Sequence, residues 1–162
     1  MKPNATFEER FEGWFVRPIE KLKELPEGDG GFLALSAALF LCERYYRTVT
    51  KTHEGSRDDK SFKKEAAADL GVPESDFVLF WKVYRHGVQH QGMPRRCVEN
   101  GVTYRAHMHE SFGAVPRVDK IDARTSEIRL DPWKFADLII KKFRDNPSVL
   151  KDATLHAFAE VI

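Results

Sequence analysis

Cysteine and net charge are the two features that this sequence has least of. Cys42 and Cys97 are its only cysteines among 162 residues, too few for a disulfide framework or a four-thiolate zinc site. The 26 lysines and arginines almost balance 25 aspartates and glutamates, so the formal net charge is +1. No overall field therefore draws the whole molecule toward nucleic acid or membranes. We expect a protein of a reducing, intracellular compartment.

Long apolar runs are also missing from the sequence. The longest, residues 32–42, has 11 residues and contains Ser36, whereas a membrane-spanning helix needs about 20. The N-terminus turns acidic at Glu8 and Glu9, where a signal peptide would need its apolar segment. We therefore predict a cytoplasmic protein without a membrane partner.

The composition is that of a folded domain. Hydrophobic residues make up 42% of the chain and aromatic residues 12%, which argues against disorder. A chain of 162 residues falls within the usual domain size of about 100–200 residues. We predict one domain over residues 1–162.

Apolar residues at helical spacing predict helices over most of the chain. The first pattern covers residues 7–22, and Pro18 should kink or split this helix near Arg17. A second helix, residues 32–53, is apolar on all sides until Glu43, as expected of a buried helix that emerges toward solvent. Further helices are predicted at residues 61–70, 76–91 and 132–146, with a last short helix closing the chain.

The hydrophobic period changes after Arg96. Residues 102–108 alternate apolar and polar side chains, which is the period of a half-buried strand. Residues 115–121 and 127–130 are weaker strand candidates. The predicted class is mainly α, with a small antiparallel hairpin or meander inserted at about residues 100–130, between the fourth and fifth helices.

The segment of residues 77–98 is the most informative for function. It contains no acidic residue, and its basic side chains are Lys82, Arg85, Arg95 and Arg96, with His86 and His90 among them. Phosphate is the natural ligand of such a local positive patch. We therefore predict that Lys82, Arg95 and Arg96 bind phosphate. An ordinary solvated helix face is the alternative interpretation.

Arg85 and His90 form an Arg-x4-His pair within this segment. Five helical residues correspond to about 7.5 Å of rise and about 140° of rotation, so the two side chains can contact different atoms of one phosphodiester. Arginine stabilises developing phosphoryl charge, and histidine transfers protons near neutral pH. This pair suffices in principle for metal-free cleavage of RNA through its 2′-OH, which DNA lacks. Gly87 between them leaves bare backbone for a ligand or a partner chain.

These residues resemble the HEPN superfamily. An Arg-x4–6-His motif near the end of a helix is that family's signature, and residues 84–91 read like its motif helix. The resemblance covers about residues 5–95 and implies an up-and-down helical bundle. It also implies a metal-independent endoribonuclease of defence or toxin–antitoxin systems, without a cofactor. Arg85 and His90 would then be catalytic, with His86 as the motif's polar residue.

The resemblance further implies a homodimer in which two motifs share one cleft and cleave RNA. Arg85 and His90 should then be solvent-accessible and converge across a two-fold axis. Any antitoxin or regulator stays unknown. The alternative is a HEPN-like helical domain that binds nucleic acid, a nucleotide or a protein partner without cleaving it.

Two further groups of side chains leave alternatives open. Glu43 either supports Arg85 or forms an i,i+4 ion pair with Arg47, the commoner fate of such a residue. His107 and His109 lie on one face of a strand and could begin a zinc site, although solvent-facing histidines are the simpler interpretation. We predict no bound metal.

Overall fold

Helices make up most of the residues that the structure, a computed structural model, describes, namely residues 5–52 and 59–151. In chain order the α-helices are α1 Phe7–Phe11, α2 Arg17–Leu22, α3 Gly31–Thr50, α4 Asp59–Leu70, α5 Glu74–Phe80, α6 His86–Gln91 and α7 Pro132–Asp145. Two π-helical turns, Glu12–Val16 and Trp81–Arg85, join α1 to α2 and α5 to α6. Short 3-10 turns lie at Pro26–Gly28 and Pro147–Leu150. The last helix predicted from the sequence falls outside the described residues.

The four strands are β1 Cys97–Glu99, β2 Val102–Met108, β3 Arg117–Lys120 and β4 Thr125–Leu130. They form one sheet in the order β1-β2-β4-β3. The central strands β2 and β4 run parallel, and the two outer pairs are antiparallel. None of the helices within the described ranges combines the length and the apolar character that crossing a membrane requires.

The chain divides into two units by its internal contacts. One unit contains the described residues up to Phe62 and from Ala136 onward, and the other is Lys63–Phe135. The single domain predicted over residues 1–162 stays a prediction.

Aromatic rings and ion pairs join distant parts of the first unit. The ring of Phe11 stacks on that of Phe143 at 4.9 Å between centroids, and Tyr45 meets Phe143 edge-on at 5.3 Å. Arg144 Nε lies 2.8 Å from Glu12 Oε1. These contacts fasten α7 to the start of the chain.

The first helix begins and changes its winding for reasons visible in its sequence. The Thr6 hydroxyl accepts from the Glu9 N–H, and the Glu9 carboxylate accepts from the Thr6 N–H, which is a capping box. The π-helical turn ends two residues before Pro18, which has no N–H to donate to a regular α-helical hydrogen bond. The helical backbone continues through this turn into α2, which begins at Arg17, so the change of winding falls where the sequence predicts a kink or a split.

The predicted fold class, a helical bundle with a small antiparallel insertion, is wrong. The sheet has four strands and is mixed, since its central pair is parallel. Ile128 and Leu130 of β4 are fully buried, so the sheet supplies core to the second unit. The alternating pattern predicts strands, but it determines neither the pairing partner nor the strand direction, which depend on side chains far apart in sequence.

Tyr84 connects the helical part of the second unit to the sheet. Its hydroxyl donates to the Ile128 carbonyl oxygen at 2.8 Å and accepts from the His107 N–H at 3.1 Å. The side chain is fully buried, and burial raises the pKa of the hydroxyl, so it stays a donor. One side chain thus satisfies a backbone group on each of the two parallel strands.

We predict that Tyr84→Phe destabilises the protein by about 1–3 kcal/mol, because it leaves a buried carbonyl and a strand N–H without their partner. Tyr104→Phe, a matched change at a half-buried position of β2, should alter stability by less than about 0.5 kcal/mol. Urea unfolding followed by circular dichroism measures both. Equal stabilities of the two variants would contradict the bridging role of Tyr84.

Candidate functional site

The three predicted catalytic residues lie where α5 passes through its π-helical turn into α6. Arg85 is the last residue of the turn, His86 begins α6, and His90 lies near its end. Irregular turns of this kind are frequent at functional sites. His90 is exposed and His86 is half-buried, but Arg85 is only 5% exposed. The expectation that Arg85 is solvent-accessible is therefore wrong.

The Arg85 guanidinium interacts along its own helix. Its Nη1 donates to Oε1 of Gln89, one turn further along. A buried charge requires hydrogen-bond partners, and the Gln89 amide is one of them. The contact with Gln89 gives Arg85 a role in stabilising its own helix. A side chain that binds a phosphodiester must instead reach solvent.

Two imidazoles of this helix and the basic side chains around them form a cluster. The rings of His86 and His90 are 6.2 Å apart between centroids and nearly perpendicular. Burial lowers the pKa of His86, and the positive groups of Lys63, Arg95 and Arg85 together with His90 lower it further. We call His86, His90, Lys63 and Arg95 the imidazole cluster. His86 is therefore held neutral at pH 7 in a positively charged environment.

Arg95 is fixed to the π-helical turn by two hydrogen bonds. Its backbone N–H donates to the Val83 carbonyl oxygen, and its Nε donates to the Lys82 carbonyl oxygen, each at 2.9 Å. In a π turn the N–H groups bond five residues back, as that of His86 does to Trp81, and the wider turn opens carbonyls to groups outside the helix. Arg95 uses that opening.

The chain's own backbone fills the space beside Gly87. A Cβ at Gly87 would lie 2.5 Å from the Arg95 nitrogen, 2.7 Å from the Met93 oxygen and 2.9 Å from the Pro94 carbonyl carbon. The helix ends at Gly92 in the left-handed conformation, with φ +70°, and the chain then folds back over Gly87. The space beside Gly87, which the sequence assigns to a ligand or a partner chain, is thus occupied by residues 93–95 of the same chain.

The three predicted phosphate-binding residues have different surroundings. Lys82 forms an ion pair with Glu99 of β1, which partly neutralises its charge. Arg95 is half-buried and belongs to the imidazole cluster, and Arg96 is exposed. Of the three, the structure brings Arg95 next to the histidines.

Glu43 forms the ion pair with Arg47 that its spacing favours. Arg47 Nε lies 2.8 Å from Glu43 Oε1, and the Arg47 guanidinium stacks over the Phe62 ring at 4.4 Å from its centroid. The i,i+4 alternative is confirmed. Support of Arg85 by Glu43 stays a prediction.

The histidines considered for zinc have other partners. His107 Nδ1 lies 2.9 Å from Glu127 Oε2, and His109 Nδ1 lies 2.8 Å from Ser111 Oγ. In the part of the chain that the structure describes, no three His, Cys, Asp or Glu side chains are grouped to hold a metal ion.

Two residues that contribute to these arrangements are not predicted by the sequence. Lys63 of α4 acts on His86 through its charge, and no local sequence pattern links the two residues. Glu127 is the buried acid of the sheet, bonded to His107, Arg105 and Arg129. These bonds, that of His107 first, lower the pKa of Glu127 to about 2 although burial raises it. Only the parallel register, which places Arg105 opposite Glu127, would have identified this acid.

This chain matches no protein-family model, no curated protein and no solved structure.

We predict that Gly87→Ala destabilises the protein by about 1–3 kcal/mol, the usual effect of overpacking, although alanine favours helices over glycine by about 1 kcal/mol. Gly13→Ala is the matched control, because a Cβ there meets no atom within 4 Å, and it should be neutral or stabilising. Thermal unfolding of the two variants tests this. An equal rise in melting temperature for both would show that residues 93–95 do not pack on Gly87.

We predict a loss of stability in acid that depends on Glu127. Its pKa is lowered to about 2 from the ordinary 4.5, so its contribution to stability is present above about pH 4.5 and disappears as the pH falls toward 2. Glu127→Gln should make the free energy of unfolding less dependent on pH between these values, whereas Glu110→Gln at an exposed position should not. Urea titrations at several pH values measure the difference, and identical slopes for wild type and Glu127→Gln would contradict it.

Proposed function

We propose that the second unit binds RNA through the imidazole cluster. The observation that carries this proposal is the concentration of basic side chains around His86, whose pKa is lowered first by burial and then by Lys63, Arg95, Arg85 and His90. Positively charged side chains held close together repel one another, and the phosphates of a polyanion relieve that repulsion. The whole chain carries a net charge of +1, so binding depends on this local cluster. Arg85 contributes by holding the helix.

RNA fits the cluster better than a single small anion because the cationic groups are spread over two helices and a loop. Lys63 belongs to α4, the imidazoles to α6, and Arg95 to the segment before β1. Successive phosphates of a strand can contact them in turn, and exposed His90 can stack on a base.

Cleavage of the bound RNA is the second candidate, favoured by the pairing of His86 with His90. Neutral His86 takes the proton of a 2′-OH, the 2′ oxygen bonds to the adjacent phosphorus, and the bond from phosphorus to the 5′ oxygen breaks. His90 as imidazolium protonates the departing 5′ oxygen. The products are a 2′,3′-cyclic phosphate and a 5′-hydroxyl end. Arg95 and Lys63 would supply the charge stabilisation for which the sequence indicated Arg85.

We predict that Lys63→Gln weakens binding of a fluorescent single-stranded RNA about fivefold at 0.1 M salt and makes the salt dependence shallower, because it removes about one phosphate contact. Lys64→Gln, the same charge change at an exposed position of the same helix, should leave affinity within about twofold. Fluorescence anisotropy at several salt concentrations measures both variants. Equal weakening by the two changes would indicate a response to charge alone and contradict the proposed site.

The same RNA, incubated with the protein in EDTA, separates binding from cleavage. If the second candidate holds, cyclic-phosphate ends form, the DNA analogue resists, and His86→Ala and His90→Ala each lower the rate by about 10²–10⁴. His109→Ala, at an exposed position of the same unit, is the control. Sedimentation of the sample shows whether activity accompanies the homodimer that the family resemblance implies. RNA that stays bound and intact would support binding without cleavage.

A further inference from the structure

The face of the sheet that carries Glu127 bears two rows of charged side chains. Pairing of β2, β4 and β3 places His107, Arg129 and Arg117 side by side. Two residues away on each strand, it places Arg105, Glu127 and Asp119 side by side. Side chains two residues apart on a strand share a face, so all six lie on the same one. We call His107, Arg129 and Arg117 the base row.

Carboxylates hold the two arginines of the base row in place. Arg129 donates through Nη1 to Asp119 Oδ2 and through Nη2 to Glu127 Oε2, both at 3.0 Å. Arg117 Nη2 donates to the same Asp119 oxygen at 2.7 Å. Each guanidinium has five N–H groups, and these bonds, together with that of Arg129 Nε to Glu127, use three on Arg129 and one on Arg117. Donors therefore remain for a ligand.

The loop between β2 and β3 is fastened over the base row. Lys134 Nζ donates to the carbonyl oxygens of Glu110 and Phe112 at 2.7 and 3.0 Å. The Asp131 N–H donates to the Gly113 carbonyl oxygen at 3.0 Å. These bonds order the loop before any ligand arrives, which lowers the entropy lost on binding.

The Phe112 ring anchors the tip of this loop on the base row. Its centroid lies 4.9 Å from that of the His107 ring and 5.4 Å from the Arg129 guanidinium carbon. The loop and the base row enclose a cavity of about 210 Å³, lined by Ser111, Phe112, Gly113, Val115, Arg117 and Arg129.

Strand direction places the cations on the cavity side of the network. β2 and β4 run toward the loop, and antiparallel β3 starts from it at Arg117. The base row is therefore nearer the loop than Glu127 and Asp119. Arg105, Arg117 and Arg129 against these two acids leave one excess positive charge before His107 is counted, so an anion in the cavity meets guanidinium groups before carboxylates.

We propose that this cavity binds the oxyanion head group of a small ligand, a phosphate or a carboxylate, on Arg117 and Arg129. Guanidinium forks match both groups geometrically. The volume is below the roughly 300–1,000 Å³ of pockets that enclose drug-sized ligands. The cavity therefore takes the head group and leaves a larger remainder of the ligand in solvent.

Titration with inorganic phosphate, followed by backbone amide NMR, tests the proposal. The Gly113 and Val115 amide signals should shift and saturate at millimolar phosphate, and chloride at equal ionic strength should not move them. A parallel titration with acetate distinguishes the head groups, since saturation by one anion alone identifies a phosphate or a carboxylate site. Failure of both anions to saturate these signals would overturn the proposal, whatever happens at the signals of His86 and His90.

Two variants examine the site independently. Arg117→Gln should weaken the titrated affinity about tenfold or more, as expected for a lost charge-assisted hydrogen bond, whereas Arg124→Gln, an exposed arginine of the turn before β4, should not. Val115→Phe fills the cavity without changing charge and should abolish saturation. Circular dichroism verifies that each variant is folded. Unchanged affinity in folded Arg117→Gln and Val115→Phe would place the anion elsewhere and refute the site.

Discussion

The Tyr84 hydroxyl lies between the helix that carries His86 and His90 and the sheet that carries the base row, and both arrangements depend on it. Tyr84 directly precedes Arg85 and His86, while its hydroxyl contacts the backbone of His107 and Ile128. A fully buried hydrogen-bonded group tolerates little displacement, because each lost bond leaves a desolvated polar atom. The relative position of helix and strands within the second unit is thus set at one atom.

The π-helical turn determines which side chains of that helix come together. It inserts one wider turn at Trp81–Arg85, after which α6 places His86 and His90 four residues apart on a regular helix, so the rings lie on one face. Arg95 binds the carbonyls of the turn, and Gly87 lets the returning chain approach. A basic residue that the sequence assigned to phosphate therefore also maintains the helix geometry.

The helices were largely predictable because their information is local. The predicted residues 32–53 and 132–146 correspond to Gly31–Thr50 and Pro132–Asp145, since apolar periodicity and, in α7, a proline at N1 act within a few residues. Strand pairing is not local, and the parallel partner of β2 could not be read from alternation. Arginine is usually exposed, so nothing in its neighbourhood predicted the burial of Arg85.

The same difference between local and long-range information separates the site residues that were predicted from those that were not. His86 and His90 were identified because both lie within one helical turn and a half of sequence. Lys63 and Glu127 were not, since each reaches its partners through packing of separate elements. Charge counts over a window also could not reveal that Lys82 pairs with Glu99, which lies just beyond that window.

The short outer strands of the sheet affect how copies of this chain can associate. β1 has three residues and β3 has four, and the latter begins and ends with exposed Arg117 and Lys120. Short, charged edges offer few free backbone groups to an incoming strand and resist growth of the sheet from molecule to molecule. Strand-by-strand aggregation of copies of this chain is therefore disfavoured.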